Sequence, residues 1–358
     1  MAKAKPIANI DCLDGAGKVI QQVLLARLKD MCALRESALD WDDPDGVHDM
    51  RVASRRLRSA LSDFKPYVRK EGLPSRRLKA IAKSLGAVRD EDVVLAALDE
   101  LRSKANDKVA AGIEAIAEEH RRQRRQARSV LETVIKSAAL AELREDFRHR
   151  LNTAIKPSQS SRDKGQILTF SQVGTKVISE RLTKLCDARN AFYHPLRTRQ
   201  LHKLRILAKR LRYAVELFAP CGGSDYKRIA KEIARLQTAL GELHDCDVWI
   251  ANLATRLKKS EGPGGDRQNT EACVWLLQHF VSERTKHYAH SLARWHKWQT
   301  EGFLDQLRTI LDARFGQSTA PVPNNNGARS KTSKARLAND TLSSAHAEGS
   351  TPPSRKKN

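Results

Sequence analysis

Aromatic residues make up only 5% of this 358-residue chain. None is interleaved with the charges of its main basic stripes, so the stacking platforms that hold single-stranded nucleic acid are missing there. No apolar run approaches the roughly 20 residues of a membrane span. Met1-Ala2-Lys3-Ala4-Lys5-Pro6 is not followed by a signal-type apolar stretch. The expectation is a soluble, cytoplasmic protein with no transmembrane segment. The cysteines (Cys12, Cys32, Cys186, Cys221, Cys246 and Cys273) contain no Cys-x-x-Cys pair, so neither a zinc site nor a disulfide framework is expected. Cys32 and Cys186 sit at apolar helical positions and read as reduced core thiols. Gly-x-Ser-x-Gly and His-Glu-x-x-His are absent, and no acid–base pair stands at convincing spacing. Asp14-Gly15-Ala16-Gly17-Lys18-Val19 only superficially resembles a phosphate loop, with Cys12 at the first glycine position and Val19 where magnesium needs Ser or Thr. It reads as a helix lead-in. No metal and no cofactor are expected.

Acidic residues are also scarce relative to basic ones. Against 65 Lys and Arg stand 42 Asp and Glu, for a formal net charge of +23. The segment from Gln317 to Asn358 carries seven Lys/Arg and two Asp/Glu, which leaves about +18 on the remainder. A field of that sign concentrates nucleic acid, anionic surfaces or polyanionic metabolites.

The charge is organised. His48-Asp49-Met50-Arg51-Val52-Ala53-Ser54-Arg55-Arg56-Leu57-Arg58 recurs, 154 residues on, as His202-Lys203-Leu204-Arg205-Ile206-Leu207-Ala208-Lys209-Arg210-Leu211-Arg212. Phe64/Phe218 and Pro66/Pro220 extend the match. At about 100° per residue, Arg51, Arg55 and Arg58 line up with His48 in one arc, while Met50, Ala53, Leu57, Ala60, Leu61 and Phe64 form a core-facing stripe. His202, Arg205, Lys209 and Arg212 repeat the row opposite Leu204, Leu207, Leu211, Ala214, Val215 and Phe218. Like charges at this spacing repel by a few tenths of a kcal/mol per pair, so local helix stability does not explain them. An external anion is the simplest reason; a solvated surface face, or salt bridges to the flanking Asp49 and Asp63, is the plain alternative.

Nearly every periodic segment is helical. The first half predicts helices at about 16–40, 46–68, 74–86, 89–104, 106–135 and 138–152, and the second at about 168–190, 197–218, 224–241, 244–259 and 269–298. The spacing predicts an all-α protein of two helical bundles made by internal duplication, at 10–155 and 165–315, then a disordered basic tail over 316–358. Lys156-Pro157-Ser158-Gln159-Ser160-Ser161 is the boundary loop. A second pair of motifs, Leu85-Gly86-Ala87-Val88-Arg89-Asp90-Glu91-Asp92-Val93 and Leu240-Gly241-Glu242-Leu243-His244-Asp245-Cys246-Asp247-Val248, suits a helix end at glycine and a new helix capped by aspartate. Asp90 and Asp245 also suit the orienting of stripe arginines. Arg76, Lys79 and Lys83, with Lys227 and Lys231, add supporting cationic rows. Arg121, Arg124, Arg125 and Arg128 of a later helix can share a further face.

These paired strings resemble the CHAD domain, the conserved histidine α-helical domain, over about residues 10–315. The resemblance implies two four-helix bundles related by a pseudo-two-fold axis, with a basic channel between them that binds inorganic polyphosphate without catalysis. It implies that His48, Arg51, Arg55, Arg58, His202, Arg205, Lys209 and Arg212 line the channel. Some members attach to polyhydroxyalkanoate granules, so association with polyphosphate or polyhydroxyalkanoate granules is a further expectation. The Glu-x-Glu-x-Lys string of the triphosphate tunnel domain fused to many members does not occur. His244 stands where the first half has Arg89, and Ala234 and Thr238 where it has Lys79 and Lys83, which predicts weaker binding by the second half. Nucleic-acid binding is the rival class, with granule association through an exposed Trp295–Trp298 face and a histidine phospho-carrier behind it.

Overall fold

A computed structural model describes residues 7–43, 45–69, 73–155, 168–260 and 267–317. Among them the regular elements are helices: α1 (Ala16–Cys32), α2 (Arg35–Leu39), α3 (Gly46–Asp63), α4 (Ser75–Arg102), α5 (Asp107–Val134), α6 (Ser137–Ala154), α7 (Phe170–Asp187), a 3-10 turn (Arg189–Tyr193), α8 (Thr198–Leu217), α9 (Ala219–Ser260), α10 (Arg267–Thr300) and α11 (Phe303–Gln317). The expected tail falls almost wholly outside the described residues, as do the boundary loop after Lys156 and the Gly262-Pro263-Gly264-Gly265 stretch.

Local chemistry explains several of these boundaries. Asn106 caps α5 by accepting the Val109 N–H at 3.0 Å. Thr169 and Gln172 close a reciprocal capping box at the start of α7. Gly223 takes φ 60°, ψ −137°, a conformation essentially confined to glycine, and marks a kink in α9. Gly15 leads into α1 as expected, and the Ala16 N–H is taken by the Leu168 carbonyl at 2.8 Å.

Two expectations about boundaries need correcting. α4 runs unbroken through Gly86 to Arg102, and α9 through Gly241 to Ser260. Gly86 and Gly241 are therefore not helix ends, and Asp90, Asp92, Asp245 and Asp247 are not caps. A single glycine costs a helix interior only about 1 kcal/mol, and Leu85 and Val88 stay buried on either side of it.

The two halves share one apolar core within a compact unit, Met1–Thr319. Phe64 and Phe218, 154 residues apart in the sequence, meet edge to face with centroids 6.0 Å apart, and Phe170 completes the trio at 6.2 and 4.8 Å. Fully burying each ring is worth about 2–3 kcal/mol. A smaller cluster joins the distal parts of α4 and α5 to those of α9 and α10, through Leu98, Ile113, Leu253, Leu276 and Phe280. Trp295 and Trp298 are fully buried at 0% and 1% exposure, with Trp298 donating to Glu232 at 3.3 Å. They form no apolar docking face.

The reading of the cysteines is overturned for one pair. Cys12 and Cys221 are joined by a disulfide across 209 residues of sequence. Spacing rules see only neighbours in sequence; this pair meets because the segment before α1 lies against the start of α9. Cys32, Cys186, Cys246 and Cys273 are free.

Candidate functional site

α3 and α8 pack against one another through their apolar faces, and this brings the two stripes together. Arg51 and Arg55 of α3 lie within electrostatic reach of Arg205 and Lys209 of α8. Arg51 and Arg205 also cross the neighbouring helix, each at a glycine. A Cβ on Gly86 would lie 4.0 Å from the Arg51 Nε, and one on Gly241 would lie 3.7 Å from the Arg205 Nε. One turn further on stands the matching carboxylate. Arg51 donates to Asp90 at 2.8 Å, and Arg205 approaches Asp245 at 3.9 Å. The Leu-Gly-x-x-(Arg/His)-Asp motif is thus a support for Arg51 and Arg205: each guanidinium passes over the helix at the glycine, and the aspartate orients it.

Two carboxylates do not balance this cluster. Among the described residues Arg55 and Lys209 close no ion pair. Lys209 is half-buried, and burial together with Arg205, Arg55, Arg51 and Arg212 drives its ammonium down to about 7. Burial and its cationic neighbours push even the Arg51 guanidinium down to about 10.

The histidines flank the meeting point, each among groups of its own half. Burial first, then Arg89, lowers His48, with Asp49 and Asp45 opposing. His202 lies against His244, with ring centroids 4.0 Å apart and Nδ1 atoms 3.1 Å apart. Burial, His202, Arg205 and Lys209 push His244 down to about 4, and burial, Arg205 and Lys209 lower His202. Near neutral pH these rings are neutral and offer N–H donors rather than full charges.

Other predicted members are placed elsewhere. Arg58 is exposed and lines a recess of about 270 Å³ with Lys65 and the start of α4. Its equivalent, Arg212, is 5% exposed, lies 3.2 Å from Glu216 and sits 5.0 Å from the Tyr213 ring. These two positions match in sequence and diverge in space, because Glu216 gives Arg212 an internal partner where the first half has Ser62. Arg76, Lys79 and Lys83 are exposed on α4, and Lys227 and Lys231 on α9. Lys231 lines a recess of about 350 Å³ with Arg228, Arg235 and Lys297.

Two of the α5 arginines are neutralised internally and a third is buried, while Arg125 is exposed. Arg121 binds Glu114 at 2.6 Å, Arg124 binds Asp92 at 2.6 Å, and the buried Arg128 lies 4.7 Å from the Trp41 ring. Their expected shared face is therefore spent on structure. Arg284 repeats the Arg124 arrangement by binding Asp247 at 2.6 Å.

Beneath the cluster lies a polar layer that sequence reasoning missed. Arg181 of α7 donates through Nε to the buried Asp63 of α3 at 2.9 Å. Arg27 of α1, 6% exposed, lines a small pocket with Arg56 and Glu216. The one signal that could have found it is that Arg27 and Arg181 are themselves 154 residues apart. Among the described residues no group of three or more His, Cys, Asp or Glu is placed to hold a metal ion.

The CHAD domain family matches residues 22–254. The fold is similar to the crystal structure of the CHAD domain from the plant Ricinus communis, at 19% identity and a TM-score of 0.59, covering 86% of this chain and 95% of that one. It is also similar to PptA from Streptomyces chartreusis, at 16% identity and a TM-score of 0.58, covering 79% of this chain and 100% of that one. No curated protein sequence matches.

Proposed function

Since the chain belongs to the CHAD domain family, we propose that it binds inorganic polyphosphate, without catalysing a reaction on it, at the junction of α3 and α8. The observation that supports this reading is the convergence of Arg51, Arg55, Arg205 and Lys209 from opposite halves of the chain around two ion-pairing carboxylates, Asp90 and Asp245, among the described residues. Bringing these cations together costs stability, and a bound polyanion offsets that cost. Arginine forks suit phosphate oxygens, Lys209 adds a point charge, and His48, His202 and His244 add N–H donors at the flanks.

Polyphosphate is favoured over nucleic acid because the site offers guanidinium forks and imidazoles but no exposed aromatic platform. No helix among the described residues is long and apolar enough to cross a membrane, and Trp295 and Trp298 are interior. Trp295 and Trp298 therefore offer no face for granule association.

The test is calorimetric titration with long-chain polyphosphate across a salt series. Wild type should bind with a log–log salt slope of about −0.7 to −0.9 per phosphate neutralised, by analogy with nucleic acids. Joint replacement of Arg51, Arg55, Arg205 and Lys209 by Gln should leave a folded protein with a slope shallower by about 3 and an affinity lower by at least about 100-fold. Unchanged affinity in that variant, or preference for charge-matched DNA in competition, would overturn the reading.

A further inference from the structure

The repeat reverses charge around its two equivalent histidines. At the 154-residue offset, Asp43, Asp45 and Asp49 on the His48 side stand where Arg197, Arg199 and Lys203 stand on the His202 side. The acidic set belongs to the loop before α3 and its first turn, and the basic set to the N-cap and first two turns of α8. Arg197, Arg199 and Lys203 are all exposed.

Helix stability accounts for the acidic set but not for the basic one. Carboxylates suit the positive end of a helix, and Asp43 also accepts the Asp45 and Gly46 N–H groups at 2.9 and 3.1 Å. Cations at the same end of α8 oppose the helix dipole, in a helix with no acidic residue in its first turn and no side-chain cap. The basic loop is nevertheless held in place: Arg284 donates to the Pro195 carbonyl at 2.6 Å and Tyr288 to the Phe192 carbonyl at 2.6 Å. His48 feels Arg89 first and then the opposing Asp49 and Asp45, while His202 feels Arg205 and Lys209 with Asp247 opposing. The cluster is thus approached along α3 from an acidic segment and along α8 from a basic one.

We propose that the anion path is polar: a polyphosphate chain is captured at the α8 end by Arg197, Arg199 and Lys203, and is turned back beyond His48 by Asp43, Asp45 and Asp49. This rests on the polyphosphate reading above and adds a direction to it. The basic flank concentrates the chain before it reaches Lys209 and Arg205. The acidic flank limits how many phosphates the site can cover, because each further phosphate would face a carboxylate.

Stopped-flow association with linear polyphosphate, on the full chain, tests this with three variants. Replacing Arg197, Arg199 and Lys203 by Gln should slow association about tenfold at low salt. Replacing Lys176, Lys258 and Lys259 by Gln removes equal charge from surface away from both flanks and should slow it less than about twofold. Replacing Asp45 and Asp49 by Asn should steepen the equilibrium salt slope by about one phosphate, as the bound chain extends past His48. Equal slowing by both lysine/arginine variants, or an unchanged slope in the aspartate variant, overturns the polarity while leaving polyphosphate binding standing. Absence of association by the wild type overturns the underlying reading, and this inference with it.

Discussion

Lys209→Met should make the unliganded protein more stable, and the size of the gain should depend on pH. Lys209 is half-buried among Arg51, Arg55, Arg205 and Arg212, and its ammonium falls from 10.5 to about 7. At about 1.4 kcal/mol per pH unit the full difference is roughly 5 kcal/mol, and solvent screening of a partly exposed group reduces it to about 2–3 kcal/mol. The unfolded chain holds this proton up to about 10.5 while the folded chain releases it from about 7, so unfolding takes up a proton within that window. Wild-type stability therefore gains from this group as pH rises from 7 to 10.5, and below 7 the folded state carries the whole cost. Methionine keeps the unbranched shape and most of the length of the side chain and removes the charge. Urea unfolding at pH 6, 7.5 and 9 should show the variant ahead of wild type by about 2–3 kcal/mol at pH 6, with the advantage shrinking towards zero by about pH 10. Polyphosphate affinity should move the opposite way. A variant less stable than wild type at pH 6, or an advantage independent of pH, would refute the argument that Lys209 is held at a cost for an external anion.

Three further outcomes follow from the same geometry. Gly86→Ala and Gly241→Ala place a methyl at ordinary contact distance, 4.0 and 3.7 Å from the arginine Nε, and should stabilise each helix by about 0.5–1 kcal/mol in thermal melts. Leucine at either position should displace the guanidinium and weaken polyphosphate binding. Arg181→Met leaves the buried Asp63 unpaired and should cost about 3–5 kcal/mol in urea, whereas the double change Arg181→Met with Asp63→Leu should recover most of it. Reduction of the Cys12–Cys221 bond, which closes 209 residues, should lower stability by about 2–5 kcal/mol, and Cys12→Ser with Cys221→Ser should show the same loss without reductant.

Much of this molecule was legible before folding. The rows of cations at i, i+3 and i+4, each backed by leucine and phenylalanine, marked α3 and α8 and the faces they bury, because helical periodicity is a local property. The recurrence of His, Arg and Phe at one offset marked which positions to compare. The motif after the stripe was misread as a helix break because glycine and aspartate carry the same local signal whether they end a helix or serve a neighbour. Only the crossing of α4 by Arg51 and of α9 by Arg205 distinguishes the two. Arg212 and the α5 arginines show a related ambiguity: whether a cation is free depends on which carboxylate or ring folds against it. Glu216, Asp92 and Trp41 reach them from other turns or other helices.

The amino-acid sequence by itself determined an all-α chain with a large positive charge, sorted into equivalent stripes and lacking the aromatics that would read bases. Periodicity, composition and spacing are sufficient for that, since each is settled within a few helical turns. Tertiary structure alone decided which cations meet and which are neutralised. It also decided that Cys12 reaches Cys221 and that Lys209 is held near 7 rather than 10.5. Those outcomes depend on distance and burial between residues far apart in the chain, and electrostatic energy is set by that separation and by the water it excludes.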